Sequence, residues 1–397
     1  MAGAHGPLPR VLLAALLVSG CGTRFPLPTE IAKGRTVPSD KSYQMLATWT
    51  GMNGIADILL TQGVGSQLFL LFNHGTRPDP TAARGEIHAY PLTRSTPIDG
   101  IEFPTRAGGS DDNLLFNPVA LCSGGNRIFV LDQGDTCLGR ANPTTGACGD
   151  TTGRWNLRIS HLDLYWRVRE YGLLGGDTIS TFTDTTVAFV RGIAADSRGG
   201  VYVSGSAFVQ IPSQEQAGAF SRGLQYRVYR YLRGPRYPGV TPADRNMPGA
   251  NWHRDSTFVI EEGSGIGTLF DPRGLSWSAA GDPALYAADF GKSWVQKLYD
   301  DRPSTGYYYL DGGQTGIAFN GPTDVAVDLQ GYLYIVDTGN RRVLRYGPDG
   351  TYVQRVDVEP DASGQPLRNP VAVAVDDSLA YVADADAAEV IRYKRRP

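Results

Sequence analysis

The sequence predicts an all-β fold, a six-bladed β-propeller, on three observations. Its apolar residues recur with a period of two, its turns are dense in glycine and proline, and one strand-turn-strand unit returns six times. The 397 residues include 49 glycines and 26 prolines, which interrupt the chain often. The 20 tyrosines suit a pleated, half-buried surface. No window after the N-terminus has the 3.6-residue period of a long amphipathic helix. At 41% hydrophobic residues, a chain this long can bury a sizeable core.

The clearest unit is "NGPTDVAVDLQGYLYIVDTGNRRVLRY", residues 320 to 346. One strand follows the proline, the chain turns near Asp328, and a second strand ends on an aromatic-x-x-Asp pattern, Tyr334 to Asp337. Copies begin at 368, 270, 190 and 116, with a fainter one at 53, and the aromatic-x-x-Asp ending recurs at Asp132, Asp289 and Asp384. Third strands are expected at 341–346, 389–394, 293–299, 225–232 and 157–164. Three such strands plus an outer fourth, repeated around an axis, bury both faces of every sheet against neighbouring sheets. The sixth copy leaves only "RRP" after Lys394, so "SYQMLATWT" (42–50) is expected to supply its outer strand and remove an open edge.

The pattern P-x-x-V-A-V-D, then G-x-L-Y-I-V-D-T-G-N-R-R-V-L-R-Y, in 322–346 resembles the motif of the NHL-repeat family. The resemblance runs over roughly 43 to 395; it implies the propeller fold and no particular activity.

The N-terminus reads separately. Arg10 precedes the apolar run "VLLAALLV" (11–18), too short to span a bilayer and shaped like a secretory signal. Val18-Ser19-Gly20-Cys21 resembles a bacterial lipobox, which implies cleavage before Cys21 and acylation of its thiol. The division expected is a signal peptide at 1–20, a tether at 21–41 and the propeller at 42–397. With Gly22 after the cysteine, the expected location is the outer membrane facing the periplasm, or the cell surface. Cys137 and Cys148 flank a Gly/Pro/Thr-rich loop, and an oxidising compartment lets them pair as a disulfide, with Cys122 a buried apolar residue of a strand. Without Arg10 the chain has 36 basic against 40 acidic groups, which argues against a nucleic-acid partner.

Function is expected on one face. Equivalent first-strand positions 54, 118, 191, 272, 322 and 370 are spaced by 64, 73, 81, 50 and 48 residues, so the first three blades carry insertions. These fall near 73–84, 133–155 and 205–224, between second and third strands, on the face where each inner strand begins. Such insertions can build a binding surface, or simply be tolerated. Arg191 and Arg273 start adjacent inner strands as Arg-Gly pairs. They could hold an acidic ligand group, or pair with blade carboxylates of the Asp132 or Asp289 kind. His74, just after a second strand, falls on the same face.

Enzymatic alternatives are limited by inventory. Some propellers related to the NHL group are zinc lyases and others metal-dependent lactonases, which require several His or carboxylate ligands around the channel. Beyond Cys21 the chain has only His74, His88, His161 and His253, of which His88 and His161 are expected in third strands and His253 in a connection on the far face. Asp132, Asp135 and Asp150 could together hold calcium, though no EF-hand spacing is present, and no metal site is assigned. The expectation is a lipid-anchored module that binds a cell-envelope protein, peptide or glycan. The alternative is a lyase or lactonase with a divalent ion at the channel mouth.

Overall fold

The structure is a computed structural model that describes residues 43–61, 66–74, 85–98, 102–103, 115, 118–124, 127–132, 167–172, 180–182, 187–212, 220–233, 252–281, 283–299, 308–310, 317–357 and 366–396. These residues form six four-stranded antiparallel sheets. The first strand, β1 (Tyr43–Thr50), belongs to the last of them. Blade I comprises β2 (Ile55–Leu60), β3 (Leu68–Asn73), β4 (Gly85–Tyr90) and β5 (Glu102–Phe103). Blade II comprises β6 (Pro118–Gly124), β7 (Arg127–Asp132), β8 (Arg167–Gly172) and β9 (Ser180–Phe182). Blade III is longer, with β10 (Val187–Ala195), β11 (Val201–Pro212), β12 (Phe220–Arg233) and β13 (Trp252–Glu261). Blade IV has β14 (Pro272–Ser278), β15 (Ala284–Asp289), β16 (Trp294–Leu298) and β17 (Tyr308–Leu310). Blade V has β18 (Asp324–Val327), β19 (Leu333–Asp337), β20 (Arg342–Tyr346) and β21 (Tyr352–Arg355). Blade VI has β22 (Pro370–Val375), β23 (Leu379–Asp384) and β24 (Glu389–Arg395), with β1 outermost.

The ring is joined by that last sheet. β1 runs antiparallel to β24 from Tyr43 opposite Arg395 to Thr50 opposite Glu389. Inner strands neighbour one another in sequence, β2 to β6, β10, β14, β18 and β22, and β22 packs back on β2. The core is accordingly a set of layers between blades. Tyr286, Ala288, Leu333 and Ile335 fill the layer between IV and V, and Trp49, Leu68, Leu70, Tyr381 and Val390 fill that between VI and I. A second strand is covered on both faces, which is why β15 and β19 read as unbroken apolar runs rather than alternating ones, and every residue of both is buried.

The polar residues of the repeat hold its turns. After the inner strand, Asp328 Oδ1 accepts the N–H groups of Gln330 and Tyr332 at 3.0 and 2.9 Å, and Asp196 does the same for Arg198 and Gly200 at 2.8 Å. The other oxygen of Asp196 takes Arg230 at 2.8 Å, a pair buried in blade III. The aspartates that end second strands reach back to the start of their own blade. Asp337 Oδ1 accepts Asn320 N–H at 2.7 Å, and Asp384 accepts those of Arg368 and Asn369 at 2.6 and 3.0 Å.

Three sequence expectations are corrected. The third strand of blade II is Arg167–Gly172, not 157–164, because it is Arg167–Gly172 that pairs along β7 from Asp132 to Arg127. Residues 205–224 are not an irregular loop insertion: Gly205–Pro212 and Phe220–Arg227 pair continuously as one extended hairpin. His253 lies within β13, opposite Leu232, rather than in a connection. The proposed lipidation site Cys21, the Cys137–Cys148 pair, Asp135, Asp150 and His161 lie outside the described residues.

Candidate functional site

Five of the six inner strands carry a bulge near their start, and β18 pairs without one. Pairing shifts between Ile55 and Asp57, Pro118 and Ala120, Val190 and Gly192, Pro272 and Leu275, and Pro370 and Ala372. A bulge leaves one residue unpaired and re-aims its side chain. Those residues are Ala56, Val119, Arg191, Arg273 and Val371, with Thr323 at the matching point of blade V. Around the channel mouth, blades III and IV therefore present the two arginines where the other blades present small or apolar groups.

The glycine after each arginine has a steric cause. A Cβ on Gly192 would collide with the carbonyl of Arg273, and one on Gly274 would collide with the Asp324 side chain. Blades III, IV and V approach through those two points. Ser204 Oγ donates to Arg273 O at 3.0 Å and Gly274 N–H to Thr323 O at 2.9 Å, which fixes the Arg273 backbone from both sides.

The arginines converge on Asp271, a residue the sequence reading passed over. Arg273 donates to Asp271 Oδ2 from Nε at 3.2 Å and Nη2 at 3.1 Å, while its guanidinium lies 3.4 Å above the Phe290 ring. Arg191 Nε is 3.7 Å from Asp271 Oδ1 and its side chain remains 45% exposed. At that distance the pair is an ion pair and not a hydrogen bond. Asp271 Oδ1 is buried without a hydrogen-bond partner. Asp271 also holds φ at 65°, a left-handed conformation, in the position filled by Gly321 in blade V at φ 59°. A strained non-glycine residue beside an unsatisfied acceptor is a recognised mark of a functional locus.

Aromatic groups border this cluster. Phe270 is 47% exposed and meets Tyr226 of β12 edge-on, with ring centroids 5.5 Å apart. Glu262 accepts the Tyr226 backbone N–H at 2.9 Å. The Tyr226 hydroxyl is pushed up from its ordinary range, first by burial and then by the Asp271 charge, with Arg191 opposing.

Asp289 and Asp132 are both fully buried. Asp289 accepts Phe270 N–H with both oxygens, at 2.9 and 3.1 Å, and Gln296 Nε2 at 2.9 Å. It thus fastens the segment that carries Phe270, Asp271 and Arg273, and does not face a ligand. Burial raises its carboxyl to about 6. Neither carboxylate is the arginines' partner; Asp271 is. His74 is exposed on the mouth face of blade I, its ring parallel to Phe72 at 6.3 Å, and blade II lies between it and Arg191. His88 bonds Glu86 at 2.7 Å within β4.

A cavity of about 670 Å³ follows the channel axis between the inner strands. Near its mouth end, Asp57 accepts Leu121 N–H at 2.8 Å and Asp324 accepts Val373 N–H at 2.9 Å, each tying its blade to the next. Burial raises both carboxyls, that of Asp324 to about 6 and that of Asp57 well above its usual range, the latter helped by the Asp324 charge. Among the described residues no group of three or more His, Cys, Asp or Glu is placed to hold a metal ion.

No family model matches the chain. No curated protein matches it. Among solved structures, the crystal structure of a nidogen/laminin complex is similar at a TM-score of 0.42 and 14% identity, over 78% of this chain and 85% of that chain.

Proposed function

We propose that the mouth face of blades III and IV binds an acidic segment of a partner protein, in a propeller of the NHL type held at the cell envelope by a lipid on Cys21. The observation that carries this reading is the unequal engagement of the arginines. Arg273 commits Nε and Nη2 to Asp271 and its face to Phe290. Arg191 is 45% exposed and, at 3.7 Å, lies outside hydrogen-bond distance of Asp271. A guanidinium in that state pairs readily with a carboxylate, and arginine is enriched at protein interfaces. Arg273 supports it by holding Asp271 in place, so that one carboxylate is shared between the two guanidinium groups.

The test is retention of envelope proteins on the immobilised full-length chain, compared with an Arg191→Ala/Arg273→Ala variant. Loss of a specific partner from the variant supports the reading, and unchanged retention rejects it. The anchor is tested separately: Cys21→Ser should release the protein from the membrane fraction, and continued membrane association would reject lipidation there.

A further inference from the structure

From the aromatic border of the cluster we infer that the segment bound here pairs an acidic side chain with a large apolar one a few residues away, the acid on Arg191 and the apolar group against Phe270 and Tyr226. This rests on the function proposed above and narrows it to a sequence class.

Phe270 is one of only three large hydrophobic side chains strongly exposed among the described residues. It immediately precedes Asp271, and its backbone N–H is held by both oxygens of Asp289, so it is an ordered group rather than a frayed one. Tyr226 braces the ring edge-on from the adjacent blade. Leaving such a ring half in water forgoes apolar burial, about 25 cal/mol for each Å². Interfaces concentrate arginine and aromatic residues in this way, an anchor for charge beside an anchor for apolar area.

The shape of the site selects a chain rather than a small molecule. A small-molecule site encloses most of its ligand, yet Arg191 and Phe270 are each close to half exposed on an open face. The enclosed volume lies elsewhere, along the channel between the inner strands. Beside the patch, β11 and β12 continue past their last partners, Ala207 opposite Val187 and Arg227 opposite Glu261, to the pair Pro212 and Phe220. Tyr226 pairs with Ser206 at the foot of that ladder. Charge sets the polarity of the guest. The chain is mildly acidic overall, at a net charge of -3, but Arg191 is the most exposed ionic group of the cluster, while Asp271 is 13% exposed and already held by Arg273.

Four end-capped hexapeptides of the form Gly-X-Gly-Gly-Y-Gly, with X and Y the pair Glu-Phe, Gln-Phe, Lys-Phe or Glu-Ala, test the inference by titration into the full-length protein at millimolar concentration. Glu-Phe should bind about fivefold more tightly than Gln-Phe and than Glu-Ala, corresponding to about 1 kcal/mol for each anchor. Phe270→Ala should erase the preference for Glu-Phe over Glu-Ala and keep that over Gln-Phe; Arg191→Ala should do the reverse. Equal binding of Glu-Phe and Glu-Ala overturns the inference and leaves the acidic-segment reading standing. Glu-Phe no tighter than Gln-Phe or Lys-Phe, or no binding by any peptide, overturns both. Phe270→Leu, which keeps an apolar group, should retain most of the Phe preference; its loss together with the protein's thermal transition would mark a folding defect, and its loss in a folded variant counts against the inference.

Discussion

Arg191 and Arg273 share one carboxylate: Asp271 receives Arg273 through Oδ2 at 3.1 and 3.2 Å and Arg191 near Oδ1 at 3.7 Å. Two blades are thereby joined at the channel mouth through a residue in a left-handed conformation. Because the pair is partly in water, its net contribution to stability is small, about 0–1 kcal/mol. Its role is placement of charge.

Asp271→Gly removes the carboxylate and the left-handed strain together, whereas Asp271→Ala removes the carboxylate and keeps the strain. The glycine variant should lie within about 1 kcal/mol of the parent in denaturant unfolding, and the alanine variant below it. An alanine variant as stable as the glycine one would show that the backbone at 271 is not strained.

Gly192 and Gly274 are fixed by contact. Since a Cβ at either would meet the Arg273 carbonyl or the Asp324 side chain, Gly192→Ala and Gly274→Ala should each cost about 1–3 kcal/mol. Arg191→Ala, one residue away and exposed, should cost less than about 1 kcal/mol. Thermal unfolding of the three variants side by side checks the contrast.

Ring closure depends on β1. Trp49 is buried against Tyr90 and Tyr381, with centroids 5.7 and 5.9 Å away, so its side chain joins blade VI to blade I. Trp49→Ala should destabilise by about 3–5 kcal/mol. A cost near that of a surface substitution would mean that β1 is not an integral strand of the last sheet.

The part-buried carboxylates that line the channel give a pH dependence of unusual sign. Asp324 has its carboxyl raised to about 6 by burial, so its ionisation opposes folding: its contribution is most favourable below about 4 and is lost as pH rises from about 4 to 6. Asp324→Asn keeps an oxygen able to accept Val373 N–H and removes the charge. Relative to the parent it should therefore gain stability as pH rises from 4 to 7, by at most about 3 kcal/mol for a shift of this size. Parallel pH profiles for the two proteins would contradict the assignment.

The repeat was legible because its period is enforced by packing. Strands such as Leu333–Asp337 are buried on both faces, and the aspartate that ends them is needed to hold the start of the same blade, so apolar runs and Asp recur together. The two arginines were legible as equivalents by register. Asp271 was not, although its position before Pro272 matches Gly321 before Pro322; that shared tolerance of positive φ was the available signal. Tyr226 and Phe270 come together only through the packing of blade III on blade IV, which no local pattern encodes. The 205–224 insertion misled because its length suggested a loop while its period-two pairing continues a hairpin.

The most direct measurement of the central claim uses a photo-crosslinking phenylalanine analogue placed in living cells at Phe270 or at Leu329. Both residues are exposed, at 47% and 64%, on opposite ends of the inner strands. A discrete protein adduct is expected from position 270 that disappears when Arg191 and Arg273 are alanine, and none from 329. The same adducts from both positions, or an adduct at 270 indifferent to the arginines, would contradict it.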